Sequence, residues 1–138
     1  MLRNAINDDI YQIETLALQY DNNFKNHYQL ETYLKKPIYK IKVIDVDNQI
    51  VGFVIAQHLY ETVEILLIYI NANYRRKGYA SSLINSLCED GVDNLLLEVS
   101  VSNNNAISLY KKLGFEVINI RKGYYNGIDG LVMKKEIK

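Results

Sequence analysis

The sequence predicts a mixed α/β domain built on one sheet, mostly antiparallel, with two parallel strands side by side at its centre. Three observations carry this. Two β-rich runs, the first alternating polar with apolar residues and the second Ile50 to Ala56, flank a short polar break at Asp47-Asn48, which is the pattern of a hairpin. The runs Val63 to Ile70 and Leu95 to Val101 are nearly continuous in Ile, Leu and Val, the mark of strands covered on both faces. A helix-period segment follows each run, and a strand–helix–strand–helix order brings its strands into the sheet as parallel neighbours.

The elements follow in chain order. Leu2 to Ile6 reads as a short first strand. Asn7-Asp8-Asp9 offers an N-cap ahead of Ile10, Ile13, Leu16 and Leu18, which share one helical face. A second helix is expected over His27 to Lys35, on Tyr28, Leu30, Tyr33 and Leu34, and it stops before the only proline, Pro37. Ile38, Lys40, Lys42 and Ile44 alternate against Tyr39, Ile41, Val43 and Asp45, and Ile50 to Ala56 forms the return strand. Glu61-Thr62 breaks the chain before the run to Ile70. A helix then carries Leu83, Ile84, Leu87 and Cys88 as its apolar stripe, with Gly91 as its stop. After Leu95 to Val101, a helix opening within Ser102 to Asn105 places Ala106, Leu109, Tyr110 and Leu113 on one face and ends at Gly114. Phe115 to Ile120 is a strand. Gly123 to Asp129 is a turn-rich loop that includes Tyr124 and Tyr125, and Leu131 to Met133 is the last strand.

The totals narrow the classes. A chain of 138 residues is expected to form one domain over 1–138. Sixteen basic residues against sixteen acidic ones leave no global positive charge, so a broad nucleic-acid footprint is not expected. Cys88 stands alone, which excludes an internal disulfide or a cysteine-based metal site. It fits a reducing compartment. No apolar run approaches the ~20 residues of a membrane helix, and Met1 to Asp9 has no apolar signal region. The expectation is a soluble, cytosolic protein without membrane or nucleic-acid partners and without a metal.

Two stretches carry chemistry. Arg75-Arg76-Lys77-Gly78 lies between the Val63 to Ile70 strand and a helix start. That order suits an anion: the helix offers unpaired N–H groups, Gly78 permits close approach, and the cations add charge. A surface turn with the same residues would look alike, and the three spaced glycines of a dinucleotide fingerprint and the Gly-Lys-Ser/Thr of a P-loop are both missing. Glu98 interrupts the apolar run Leu95 to Val101. A carboxylate in such a strand is either paired with a neighbouring cation or a general base at a cleft floor. Both accounts stand open at this level. Tyr110 on its helix stripe has the same ambiguity with a packed core tyrosine, and Asn103 is as much a helix cap as a ligand contact. His27 and His58 have no partner at metal spacing and receive no role.

In combination these stretches resemble a known family. Arg75-Arg76-Lys77-Gly78-Tyr79-Ala80 resembles the Arg/Gln-x-x-Gly-x-Gly/Ala loop of the GNAT (Gcn5-related) N-acetyltransferases, and Asn103-x-x-Ala106-x-x-Leu109-Tyr110-x-x-x-Gly114-Phe115 is similar to the helix and strand that follow in that family. Leu97-Glu98-Val99, Tyr110, Arg121-x-x-Tyr124-Tyr125 and Asp129-Gly130-x-x-Met133 are similar to the RimI and Ard1-type protein N-terminal acetyltransferases. The departures are Asn71-Ala72 for the usual Asp-Pro, Gly130 for Ala, and no family signature between Asn23 and Pro37.

The resemblance implies an acyl-CoA N-acyltransferase fold with about four helices around the sheet. It implies acetyl-CoA in a gap between the parallel strands, met by the backbone of Ile68, Tyr69 and Ile70, by the loop residues Arg75, Arg76, Lys77, Gly78, Tyr79, Ala80 and Ser81, and by Asn103. It implies Glu98 as base, Tyr110 as acid, and Tyr124 and Tyr125 along the acceptor groove. The acceptor implied is a protein N-terminal α-amine, as in the alanine terminus of a ribosomal protein. A small-molecule amine such as a polyamine is the alternative, and a non-catalytic coenzyme A module is a third reading.

Overall fold

In the computed structural model, which describes residues 1–137, seven strands form one sheet in the order β1-β2-β3-β4-β5-β7-β6. The strands are β1 (Leu2–Asn4), β2 (Tyr39–Val46), β3 (Gln49–Leu59), β4 (Thr62–Ile70), β5 (Asn94–Ser100), β6 (Glu116–Tyr125) and β7 (Ile128–Glu136). The helices are α1 (Ile10–Leu18), α2 (Phe24–His27), α3 (Leu30–Tyr33), α4 (Tyr79–Asn85) and α5 (Asn104–Lys112). Pairing is antiparallel throughout except between β4 and β5. The expected parallel pair is therefore present at the centre, and the mixed α/β class holds.

The sheet is sandwiched between two apolar layers. On one face Ile13, Leu16 and Ala17 of α1, Phe24 of α2 and Leu30 of α3 pack on Ile41, Val43, Phe53 and Ile55. On the other, Leu83 and Ile84 of α4 and Tyr110 of α5 pack on Val54, Ile65, Leu95, Leu97 and Val99. Alternation along the strands assigns neighbouring side chains to opposite layers. Phe53, fully buried, is edge-on to Phe24 at 6.2 Å.

Turn chemistry explains the hairpins. Asp47 and Asn48 both take left-handed backbone (φ 51° and 67°), as a two-residue turn matched to strand twist requires. Asn126-Gly127 (φ 49° and 93°) does the same between β6 and β7.

Several expectations are corrected. The single helix over His27 to Lys35 is replaced by two one-turn helices, because Tyr28 between them is extended (φ −130°, ψ 111°). Too few apolar positions lie in phase there to hold a continuous helix. The helix after the loop ends at Asn85, where Ser86 caps it, and Gly91 (φ 87°) instead serves the turn before β5. Tyr124 and Tyr125 lie at the end of a longer β6 and not in a loop. The missed signal was Asn126-Gly127, a strong hairpin dipeptide. β4 is not covered on both faces all along: Leu66 to Tyr69 are only partly buried.

The N-terminal turn is held by charge. Asp9, buried before α1, accepts Arg3 Nη1 at 2.7 Å and Nη2 at 2.9 Å and the Ile6 N–H at 2.8 Å. Arg3 also reaches Asp45 Oδ2 at 2.9 Å, which ties α1 to β2. The Arg3 guanidinium holds the Asp9 carboxyl below the usual carboxylate range. A depressed folded value means that the contribution is full above the unfolded value of about 3.9 and is lost as pH falls through the folded one. Asp9→Asn is therefore expected to cost about 2 kcal/mol at pH 7, and the two proteins should converge in acid as pH falls through the folded value. Urea denaturation at neutral and at acid pH checks this.

Candidate active site

A β-bulge creates the site. β3 pairs with β4 as Ala56↔Ile65 and Ile55↔Leu67, which leaves Leu66 as an extra residue on β4. A bulge bends and twists its strand. The parallel pairing of β4 with β5 stops at Ile65↔Leu97, immediately before it. Both strands run on, β4 to Ile70 and β5 to Ser100, and they part like a V. The facing edge of Ile68 to Ile70 is left without a β5 partner, so its backbone groups are available to a ligand. Tyr28, in the break between α2 and α3, directs its hydroxyl to the Leu66 carbonyl at 3.3 Å.

The mouth of the V is a cleft of about 790 Å³. Ile68, Tyr69 and Ile70 form one wall, and Asn103, Ala106, Leu109 and Tyr110 of α5 form the other. Arg75, Arg76, Gly78, Tyr79, Ala80 and Ser81 close its end. Lys77 is not part of the lining. Within this loop Arg76 (φ 64°) and Gly78 (φ 80°) are left-handed, a backbone of the kind from which an anion-binding nest can be built. A Cβ on Gly78 would meet no atom within 4 Å; glycine is used there for its backbone conformation. No side chain caps the first turn of α4, so its N–H groups remain free for an anion.

Arg75 turns away from that nest. Its Nε donates to the Ile70 carbonyl at 3.1 Å and its Nη2 to the Tyr69 hydroxyl at 3.2 Å. Asn103 caps α5, its Oδ1 accepting the Ala106 N–H at 3.2 Å, and it lines the cleft as well. Both readings of that residue coexist.

Tyr110 is 8 % exposed, packs on Phe115 with ring centroids 5.8 Å apart, and presents to the cleft. Burial pushes its phenol up to about 12. It stays protonated at any working pH, a reservoir for one proton.

Glu98 points to the opposite face of β5 from Leu97 and Val99. Arg121 Nη1 donates to its Oε1 at 3.0 Å and Oε2 at 3.2 Å, so the ion pair expected as one of its two accounts is present. The Arg121 guanidinium also lies 3.9 Å over the Tyr124 ring. Tyr124 and Tyr125 meet edge to face at 5.0 Å. Burial, and after it the Glu98 charge, raises the Tyr125 phenol. Gly130 leaves room for this ring, since a Cβ there would lie 3.0 Å from Tyr125 Cε2.

The chain thus brings the loop, Ile68 to Ile70, Asn103 and Tyr110 into one cleft. Glu98, Tyr124 and Tyr125 form a second cluster across the sheet, outside that lining. Tyr74, Asn105, Ser108 and Lys112 also line the cleft and were not anticipated. Asn105, Ser108 and Lys112 recur at i, i+3 and i+7, a helical spacing that was legible.

The sheet thus splits at its parallel pair, with a glycine loop at the open end. The chain belongs to the acetyltransferase (GNAT) family, whose model matches residues 7–115. It is 32 % identical to an N-alpha-acetyltransferase of Saccharolobus solfataricus, across 99 % of this chain and 92 % of that protein. It is 37 % identical to the ribosomal protein bS18-alanine N-acetyltransferase of Haemophilus influenzae, across 84 % of this chain and 79 % of that protein. The crystal structure of Ard1 from Thermoplasma volcanium superposes with a TM-score of 0.86 at 25 % identity, covering 100 % of this chain and 97 % of that one. Among the described residues no helix is long and apolar enough to cross a membrane, and no group of three or more His, Cys, Asp or Glu gathers as a metal site.

Proposed function

We propose that this chain transfers the acetyl group of acetyl-CoA to the α-amine of a protein N-terminus, with an alanine terminus of the ribosomal-protein type as the favoured acceptor. The observation that carries the reading is the V between β4 and β5: a free strand edge, an anion nest at one end and a buried phenol facing it. The relatives in Saccharolobus and Haemophilus support the acceptor class.

The residues fit the donor. Backbone groups of Ile68 to Ile70 would take its pantetheine amides as an added strand, and the N–H groups of Arg76 to Ser81 would take the pyrophosphate. Asn103 borders the arm. Acetyl-CoA supplies an activated acyl group. The chain's own part is to align the amine and move two protons. Glu98 removes the proton of the acceptor ammonium, directly or through a water. Tyr110 Oη returns one to the departing thiolate, and the second proton of the amine, shed as the tetrahedral adduct collapses to the amide, restores the phenol. Tyr124 and Tyr125 flank the acceptor backbone with rigid apolar area. Transfer is direct, so it needs no nucleophilic thiol, and Cys88 lies exposed beyond the end of α4.

The test is an N-terminal peptide library with acetyl-CoA, read by mass spectrometry, with spermidine in a parallel arm. Acetylated α-amines support the reading; acetylation confined to spermidine replaces it. The pH profile is a second check. A free α-amine titrates at about 7.7–8.0, so kcat/KM should rise through that range. Because the Tyr110 phenol titrates only at about 12, no falling limb due to Tyr110 should appear below about pH 10.

A further inference from the structure

We infer that Arg75 is a positioning residue, a brace that holds the free end of β4 against the turn after α1, and not a ligand of the pyrophosphate. For its kinetic arm the inference rests on the proposed acetyl transfer. The family resemblance puts Arg75 at the head of the anion-binding loop, yet its guanidinium is committed elsewhere. Nε holds the carbonyl of Ile70, and Nη2 holds the hydroxyl of Tyr69. The guanidinium carbon lies 5.5 Å from the Tyr69 ring centroid and 5.9 Å from that of Tyr20. The two rings are themselves 4.2 Å apart, and Tyr69 continues to Phe53 at 6.3 Å.

Four contacts therefore converge on one side chain, and all would be forfeited if it swung to an anion over Gly78. Their placement gives the brace its purpose. Ile68 to Ile70 have no strand partner on the β5 side, so within the sheet only their pairing with Gly52, Phe53 and Val54 of β3 holds them. Arg75 fastens its last carbonyl, and through Tyr69 and Tyr20 it anchors the edge to the layer under α1. Loss of the brace should disturb any donor that lies along β4, with or without a pyrophosphate. Arg76, which lines the nest itself, is the natural contrast.

Arg75→Met keeps the stem and removes the donors; Arg76→Met does the same next door. With an alanine-terminated peptide, kcat/KM is measured for acetyl-CoA and for S-acetylpantetheine, which has no pyrophosphate. Arg75→Met should lower both by the same factor, roughly tenfold for one or two lost hydrogen bonds, and Arg76→Met should lower acetyl-CoA alone. A loss with Arg75→Met confined to acetyl-CoA overturns the inference. Arg75→Lys, which restores one donor to the Ile70 carbonyl, should recover part of the loss, and Tyr69→Phe should add little to Arg75→Met. The aromatic NMR resonances of Tyr20 and Tyr69, recorded without acetyl-CoA, should move in Arg75→Met and stay in place in Arg76→Met. Unmoved rings remove the brace. Moved rings in a protein that turns over no peptide remove the proposed reaction and keep the brace.

Discussion

Replacing Tyr110 by Phe is expected to lower kcat about a hundredfold or more, with the dissociation constant of acetyl-CoA little changed. The ring stays, so its packing on Phe115 stays with it; only the hydroxyl is lost. A hundredfold corresponds to about 2.7 kcal/mol of transition-state stabilisation, more than a neutral hydrogen bond contributes to binding. The loss should persist at every pH between about 6 and 10, because a phenol titrating at about 12 delivers its proton throughout that range. Stopped-flow turnover together with calorimetry of acetyl-CoA separates the two effects. Near-normal turnover in Tyr110→Phe would assign the departing thiolate another proton source, such as water in the cleft.

Glu98→Gln is the second large effect, again about a hundredfold at pH 7. The amide keeps the shape of the carboxylate and can still accept from Arg121, so the fold should survive. The lost pair is half-exposed on the Arg121 side, so it contributes little to stability. The signature that separates a base from a structural ion pair is the pH response. As pH rises past the amine's own value of about 8, the acceptor sheds its proton unaided, so the deficit of Glu98→Gln should shrink by pH 9.5 while that of Tyr110→Phe stays constant. A deficit that ignores pH would leave Glu98 as a partner of Arg121 only.

Much of the scaffold was legible. Asp47-Asn48 announced its hairpin because both residues tolerate left-handed backbone, and the runs at Val63 and Leu95 announced central strands because their apolar residues continue almost unbroken, although coverage of β4 fails from Leu66 to Tyr69. Gly78 and Asn103 were legible as a loop glycine and a helix cap because each acts within a few residues of itself. The segment from Phe24 to Tyr33 was not. Its two single turns hold only because Phe24 and Leu30 drop into the layer under β3, a contact no local pattern records.

The site divides the same way. Sequence alone determined the parallel pair at the centre, the glycine loop that follows it and the residues worth watching, since those depend on periodicity, turn chemistry and spacing along the chain. Tertiary structure decided what the side chains do. The extra residue Leu66, visible only as a mismatch between β3 and β4, opens the V. Arg121, 23 residues from Glu98, supplies the ion pair that sequence left as one of two accounts. Arg75 sits in an anion-binding motif and spends its donors on Ile70 and Tyr69. Charge and hydrogen bonding act through space over a few ångströms, and two residues far apart in the chain acquire a shared role only when the sheet sets them side by side.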